Sequence, residues 1–209
     1  VILTGAGRAF CAGQDLRERL SPDAAPLAEE ITLRYNPLIR TMWEFDKPIV
    51  GAINGIAAGA GASLAFACDI RIAAEGASFL LAFGRVGLVP DSGATWLLPR
   101  LVGGAKAAEL ALLGEPLSAT DAERFGLVAR VVAGDQLADA ARAVAARLAA
   151  GAPRAIALTR AALRRTWAAS LDEQLELEAE LQGAAGASAD HAEGIAAFVE
   201  KRPPRFTGE

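Results

Sequence analysis

Short apolar runs bounded by glycine-rich turns mark the first two-thirds of the chain. Runs of this length that are rich in valine, isoleucine and leucine are typical of buried strands. They predict five strands, at Val1–Thr4, Pro48–Ile53, Asp69–Ala73, Ser78–Leu81 and Leu127–Val132. Asp69–Ala73 alternates polar with apolar residues, so we expect one face of this strand to contact water.

A helical spacing of apolar positions predicts helices elsewhere. The first is Leu27–Phe45, in which Pro37 is expected to kink or restart the helix because it has no backbone N–H. The last third is almost wholly helical, with predicted helices at Gly104–Leu113, Ser118–Phe125, Gln136–Ala149, Pro153–Trp167, Leu171–Gly183 and Ala189–Lys201. Ser118 and Ser170 stand where N-cap residues are expected.

The composition excludes several classes of protein. The 209 residues are 53% hydrophobic and 22% charged, which excludes general disorder. A net charge of −4 without a basic block disfavours binding to nucleic acid or to an anionic membrane. Cys11 and Cys68 have neither metal-type nor disulfide-type spacing, so we expect a reducing, cytoplasmic setting. Val1 begins inside a predicted strand, and we expect earlier strands to be missing from this sequence.

Small residues fill the segment Asn54–Ser63, between a predicted strand and the apolar helical run Ala62–Ala67. Backbone without side-chain bulk lets a ligand approach closely, and the N-terminus of a helix presents unpaired N–H groups. Such groups suit an oxygen that becomes negative during a reaction. Close packing of a strand against a helix is the alternative explanation, and it is the commoner one.

Asp91 is the strongest candidate for chemistry. It follows the apolar run Val86–Val89 and precedes Ser92 and Gly93. Desolvation at such a place would raise the pKa of the carboxyl group, as a proton shuttle at neutral pH requires. The alternative is that Asp91 caps the N-terminus of a helix reaching Arg100.

The other reactive side chains are weaker candidates for catalysis than Asp91. His191 is the only histidine, which disfavours Ser-His-Asp and Cys-His schemes. No cluster of His, Cys, Asp and Glu has ligand spacing, so no metal is expected. Cys11 could be a reactive thiol, although its neighbour Phe10 is more typical of a packed site. Asp15 is expected to cap a short helix, and Gln14 offers its amide or its backbone N–H.

Three motifs resemble the enoyl-CoA hydratase/isomerase (crotonase) superfamily, namely Phe10–Leu16, Asn54–Gly61 and Gly87–Gly93. The resemblance extends over the whole chain. It implies an α/β fold, a crotonase-like spiral of ββα units, with residues 1–132 forming the spiral core without its first strands. It also implies that residues 133–209 form a helical region that assembles the protein into a homotrimer or a hexamer, a dimer of trimers.

The same resemblance implies an acyl-CoA thioester as substrate and no separate cofactor. Its thioester oxygen would be held by the backbone N–H groups of Gln14 and Ala60, which form an oxyanion hole. The family typically has glycine at the second position, and alanine serves there if its backbone angles tolerate a Cβ atom. The positions that match CoA and substrate contacts are Arg8, Ala12, Gln14, Asp15, Leu16, Gly59 and Gly61. The candidates for the acyl pocket are Leu27, Tyr35 and Phe83.

Two departures from the family pattern bear on the reaction. A hydratase of this family uses two glutamates to deliver water, and this chain has Ser63 and Phe83 at those positions. Asp91 instead matches the catalytic aspartate of isomerase-type members. One carboxylate beside an oxyanion hole can take a proton from the carbon alpha to the thioester and return it elsewhere. The resemblance therefore implies an isomerase.

Longer stretches resemble one subgroup, the ring-1,2-epoxyphenylacetyl-CoA isomerases of bacterial phenylacetate degradation. These stretches are Arg34–Leu38, Ala57–Ala62, Val89–Arg100 and Phe198–Gly208. The implied reactions are conversion of the ring epoxide to oxepin-CoA and a Δ3-to-Δ2 shift of an enoyl-CoA double bond. The alternatives are an enoyl-CoA hydratase with an unusual water-positioning residue and a non-catalytic acyl-CoA-binding or RNA-associated member. The lack of a basic patch disfavours RNA, and Asp91 disfavours a loss of catalysis.

Overall fold

The computed structural model describes all 209 residues, and the chain divides into two compact units. The first comprises residues 1–43 and 49–142, and the second comprises residues 44–48 and 143–209. The functional boundary predicted between residues 132 and 133 stays a prediction. No helix is both long enough and apolar enough to span a membrane.

Eight short strands of the first unit form two four-stranded sheets. The strands are Ile2–Thr4 (β1), Ala9–Cys11 (β2), Val50–Ile53 (β3), Ile56–Ala58 (β4), Ile70–Ala74 (β5), Ser78–Leu80 (β6), Leu117–Ser118 (β7) and Arg130–Val132 (β8). One sheet has the order β1-β3-β5-β8 and is parallel throughout. The other has the order β2-β4-β6-β7, and only β7 runs antiparallel to its neighbour.

Each of the first three turns of chain adds one strand to each sheet and then at least one helix, whereas in the last turn a helix lies between β7 and β8. The helices of this unit are Leu27–Glu30 (α1), Asn36–Glu44 (α2), Ala60–Ala67 (α3), Ala94–Val102 (α4), Gly104–Leu113 (α5) and Ala119–Arg124 (α6), and Leu137–Ala149 (α7) crosses into the second unit. The expected spiral of ββα units is therefore confirmed. Its core is formed by the strands, by α4 and by the turn before β8, where the fully buried side chains include Val50, Ile53, Ile72, Leu98 and Leu127.

Three strands were not predicted: the two-residue β7, and β2 and β4, which are short and rich in small residues. β2 and β4 contain alanine and cysteine where strands usually have β-branched side chains. Pairing with neighbours forms them nonetheless, since β4 lies between β2 and β6. Both strands end next to the small-residue turn at Gly59, so they position the segment that the sequence singled out.

The helical segment predicted at Leu27–Phe45 changes type along its length. α1 is followed by a π-helical turn at Ile31–Tyr35, and α2 then begins one residue before Pro37. The predicted restart near Pro37 is confirmed, because proline offers no N–H for the preceding turn. Single π turns are rare in proteins, and those that occur are often found at functional sites.

The expectation of a wet face on β5 is wrong. Arg71 is only 7% exposed, and its guanidinium donates to the backbone carbonyls of Phe66, Cys68 and Leu127. Two of these carbonyls lie at the C-terminal end of α3, where unpaired carbonyl groups and the helix dipole favour a cation. The polar residue of the alternating pattern thus serves the interior and not the solvent.

The second unit is helical, as predicted. It contains α8 (Pro153–Arg165), α9 (Leu171–Gly186) and α10 (Ala189–Glu200). Ser170 caps α9 through a reciprocal hydrogen-bond pair with Glu173, and Ser118 caps α6, so both predicted N-caps are confirmed. Large apolar side chains are exposed on α9 and α10, including Leu171, Leu175, Ile195, Phe198 and Val199.

Candidate active site

The turn from β4 into α3 presents an unpaired backbone N–H group. Gly59 adopts φ 55° and ψ −127°, a conformation that favours glycine, and its own N–H donates to the carbonyl of Leu80. Its carbonyl oxygen accepts from the N–H groups of Ala62 and Ser63. Ala60 is the first residue of the helix, and its N–H has no acceptor in the chain.

A second loop approaches this helix start closely. Gly13 adopts φ 86°, and a Cβ atom built on it would lie 2.8 Å from the carbonyl oxygen of Ala58 and 3.5 Å from the nitrogen of Ala60. Only glycine permits this approach. The next residue is Gln14, whose backbone N–H also has no acceptor in the chain. The structure thus brings together the two residues predicted as oxyanion donors, and this arrangement suits a developing negative charge.

The loop that carries Asp91 is fixed to the same helix. The Ser63 hydroxyl, in the first turn of α3, donates to the backbone carbonyl of Asp91 at 3.0 Å. The Ser92 hydroxyl donates to Oδ1 of Asp91 at 2.8 Å, and Ser92 holds φ 52°, an uncommon angle for a residue other than glycine. Strain of this kind persists only where surrounding contacts impose it, and Ser92 is 2% exposed.

The alternative role of Asp91 as an N-cap is wrong. Gly93 occupies the N-cap position of α4 with φ 81°, and no side chain caps that helix. The Asp91 backbone carbonyl accepts from Ala94, which leaves the carboxylate free of the helix end. Because Ser92 and Gly93 both adopt positive φ angles, the chain turns sharply between Asp91 and its helix.

The environment of Asp91 favours proton transfer. Burial raises the pKa of its carboxyl group, and the hydrogen bond from Ser92 partly offsets that rise. The pKa of Tyr35 is also raised, first by burial and then by the negative charges of Glu30 and Asp91. Tyr35 therefore lies within electrostatic range of the Asp91 carboxylate. The raised pKa of the Asp91 carboxyl group suits it to accept and return a proton.

The two positions where a hydratase of this family would have glutamate offer no carboxylate. Ser63 is fully buried, with its hydroxyl committed to Asp91. Phe83 is 7% exposed, and its ring lies 3.9 Å from where a Cβ atom on Gly59 would stand. An apolar ring at this place can border an acyl group, but it cannot activate water.

The other predicted contact residues divide between the two ends of β2. Arg8 is exposed just before the strand, whereas Ala12, Asp15 and Leu16 are exposed just after it, on the Gln14 side. The expectation that Asp15 caps a short helix is wrong, because Arg17 is the N-cap of the 3-10 helix Glu18–Leu20 and no side chain caps it. Asp15 Oδ1 instead accepts the N–H of Arg17 at 2.9 Å in the turn before that helix. The remaining predicted contact and pocket residues are less exposed. Gly61 packs its backbone against Cys11, and Leu27 and Tyr35 are partly exposed on the helical segment that begins with α1.

Two residues of the site were not anticipated from the sequence. Ser92 gave a usable signal, because a serine between aspartate and glycine is typical of a turn bonded by side chains. Glu30 gave none, because its partners Gln14 and Arg19 lie on a distant loop. The sequence shows only an acidic residue near a helix start.

Comparison with known proteins agrees with this geometry. The family model described as enoyl-CoA hydratase/isomerase matches residues 1–209. A protein of Escherichia coli strain K12 named 1,2-epoxyphenylacetyl-CoA isomerase is 47% identical over 212 residues, covering 100% of this chain and 81% of that protein. A probable enoyl-CoA hydratase of Rhodobacter capsulatus is 48% identical over 210 residues, covering 100% of this chain and 80% of that protein.

Solved structures give the same result. The enoyl-CoA hydratase from Bacillus anthracis superposes with a TM-score of 0.95 at 38% identity, covering 100% of this chain and 81% of that one. An enoyl-CoA hydratase from Polaromonas sp. JS666 superposes with a TM-score of 0.93 at 35% identity, covering 99% of this chain and 81% of that one. The chain therefore has the crotonase fold and belongs to the enoyl-CoA hydratase/isomerase family.

Proposed function

We propose that the protein is an acyl-CoA isomerase in which Asp91 moves a proton beside an oxyanion hole. The observation that carries the proposal is the partly buried Asp91 carboxylate, bound through its loop to the helix whose first N–H group is unpaired. Both positions where a hydratase would have glutamate lack a carboxylate. The single carboxylate suits reversible proton transfer better than addition of water.

The proposed reaction uses three groups of this chain. The thioester oxygen accepts hydrogen bonds from the backbone N–H groups of Gln14 and Ala60, and each bond is worth roughly 3–4 kcal/mol to the transition state. Asp91 takes a proton from the carbon alpha to the thioester, which leaves an enolate whose negative charge rests on that oxygen. In a Δ3-enoyl-CoA, the electron pair then shifts along the chain, and Asp91 returns the proton to carbon 4, which gives the Δ2 isomer.

The proposed substrates are ring-1,2-epoxyphenylacetyl-CoA, converted to oxepin-CoA, and Δ3-enoyl-CoA thioesters. The similarity to the E. coli isomerase supports the first, and the lone carboxylate supports both. The test is mass-spectrometric product analysis with the epoxide generated in situ and, separately, with 3-hexenoyl-CoA. If the protein converts neither thioester, the proposal is contradicted.

Hydration is the second candidate, because the R. capsulatus relative bears a hydratase name at similar identity. Incubation with crotonyl-CoA separates the two activities. Formation of a 3-hydroxyacyl-CoA at a rate matching double-bond migration would favour a hydratase. Tight binding across a panel of acyl-CoA thioesters without any turnover would instead favour a non-catalytic binding protein.

We further propose that the protein works as a homotrimer or hexamer and needs no cofactor beyond the CoA thioester itself. The exposed apolar side chains of α9 and α10 support self-association, since surfaces of this kind are typical of interfaces. Two free thiols, Cys11 and Cys68, support a reducing cytoplasmic setting.

The hydroxyl of Ser92 should set the lower pH limit of the reaction. Its hydrogen bond stabilises the charged carboxylate of Asp91 and lowers the pKa of that group. In Ser92→Gly the hydroxyl is lost while glycine keeps the positive φ angle, so the pKa rises and the base becomes active only at higher pH. We expect the acid limb of the kcat/KM profile to move up by as much as about one pH unit. A limb that stays in place or moves down would contradict this assignment.

A further inference from the structure

Glu30 is a buried carboxylate outside the groups used by the proposed reaction. It is 8% exposed and lies at the end of α1. Its Oε2 atom accepts from Gln14 Nε2 at 2.8 Å and from Arg19 Nη1 at 3.0 Å, and its Oε1 atom accepts from Arg34 Nη1 at 3.2 Å. Charged residues are seldom buried unless they are paired, so this residue is held by several partners at once.

The three donors come from different parts of the chain. Gln14 and Arg19 belong to the loop after β2, whereas Arg34 belongs to the π-helical turn. Arg19 also donates to the carbonyl of Ala25, which ties the far end of the same loop. Glu30 therefore fixes the loop that carries a proposed oxyanion donor to the helical segment beside it.

The same helical segment reaches the loop of the proposed base. In α2, Ile39 Cγ2 lies 3.5 Å from where a Cβ atom on Gly93 would stand, two residues beyond Asp91. The segment thus contacts both reactive loops.

We propose that Glu30 is a positioning residue that holds the backbone N–H of Gln14 in place through the Gln14 side chain. This inference rests on the proposed function. A donor that must be aligned at the moment of reaction gains from a fixed side chain, because a loosely held loop would have to be ordered during each turnover. Glu30 acts through Gln14 and does not itself touch the substrate.

The test compares Glu30→Leu and Gln14→Leu with the control Glu29→Leu. Glu29 is the exposed neighbour on the same helix. Gln14→Leu removes only the side-chain link, keeps the backbone N–H and leaves Glu30 paired with both arginines, so it serves if Glu30→Leu fails to fold. The first readout is 3-hexenoyl-CoA isomerisation. The second is the infrared C=O stretch of bound, carbonyl-¹³C-labelled phenylacetyl-CoA, which reports directly on hydrogen bonding to the thioester oxygen.

In the wild type we expect the C=O stretch to move to lower wavenumber on binding. In Glu30→Leu and in Gln14→Leu we expect most of that shift to be lost. We also expect kcat to fall roughly tenfold to a hundredfold, with KM changed less than about threefold, because an oxyanion donor is misplaced and not removed. The double variant should be no slower than the slower single variant. Glu29→Leu should match the wild type.

Three other outcomes can be told apart. A wild-type stretch that does not shift, together with no isomerisation, would overturn the proposed function itself. A normal shift in the wild type that Glu30→Leu and Gln14→Leu both retain in full would overturn the role of Glu30 and leave the proposed function standing. Loss of thermal stability with an unchanged kcat for the folded enzyme would likewise assign Glu30 to structure alone.

Discussion

Asp91→Asn is expected to lower the rate of proton exchange at the alpha carbon by roughly a thousandfold, within the range measured for lost general bases. Asparagine has nearly the same shape, and its Oδ1 atom can still accept the hydrogen bond from Ser92. The loop and the binding of the CoA ester should therefore survive. What is lost is the basic oxygen that takes the proton.

The measurement is incorporation of deuterium from solvent into a bound acyl-CoA, followed by mass spectrometry, alongside the dissociation constant of the same thioester. Asp46→Asn changes an exposed aspartate and serves as the matched control. Exchange at the wild-type rate in Asp91→Asn would remove Asp91 from the mechanism. Weakened binding with unchanged exchange would give it a substrate-holding role instead.

Gly61→Ala is expected to destabilise the protein by about 3 kcal/mol, the upper range for overpacking. An added Cβ atom would overlap the backbone carbonyl of Cys11 and stand 2.8 Å from its Cβ atom. Backbone cannot move aside as a flexible side chain does, so β2 and α3 would have to separate. The N–H of Ala60, one residue earlier, would be displaced, and the proposed isomerase activity should fall with stability.

Gly183→Ala is the control for this prediction. Gly183 lies within α9, and an added Cβ atom there meets nothing within 4 Å. Alanine should therefore stabilise that helix by about 0.5–1 kcal/mol. The midpoint of urea unfolding, followed by tryptophan fluorescence, measures both changes. If Gly61→Ala unfolds at the wild-type midpoint, the close contact between β2 and α3 is not required for stability.

Elements with strong local patterns could be predicted from the sequence. The strand near Val50–Ile53 and the helices near Gly104–Leu113 and Leu171–Gly186 follow from apolar periodicity and caps. β2 and β4 could not be predicted in this way, because their small residues have little strand preference and form strands only when a neighbour is present. Arg71 was misplaced for a related reason, since alternation does not reveal that buried carbonyls need a donor.

The site could be predicted where a motif fixes the backbone. Gln14, Ala60 and Asp91 stand at positions defined by glycines at fixed spacing, and the structure places the first two together. Side-chain links across long separations could not be predicted, because nothing local marks them. The hydrogen bonds from Ser63 to Asp91 and from Gln14 to Glu30 join segments that are remote in sequence.

The hydrogen bond between Ser63 and Asp91 also limits how this site can change its chemistry. A glutamate at position 63 would supply one carboxylate of a hydratase, but it has no hydroxyl to donate to the Asp91 carbonyl, and its charge would repel that oxygen. Gaining a group that directs water therefore means losing the support of the loop that carries Asp91, the proposed base. At position 63, a serine that supports the Asp91 loop and a glutamate that directs water exclude each other. A route to a hydratase therefore has to rebuild that loop as well as replace Phe83.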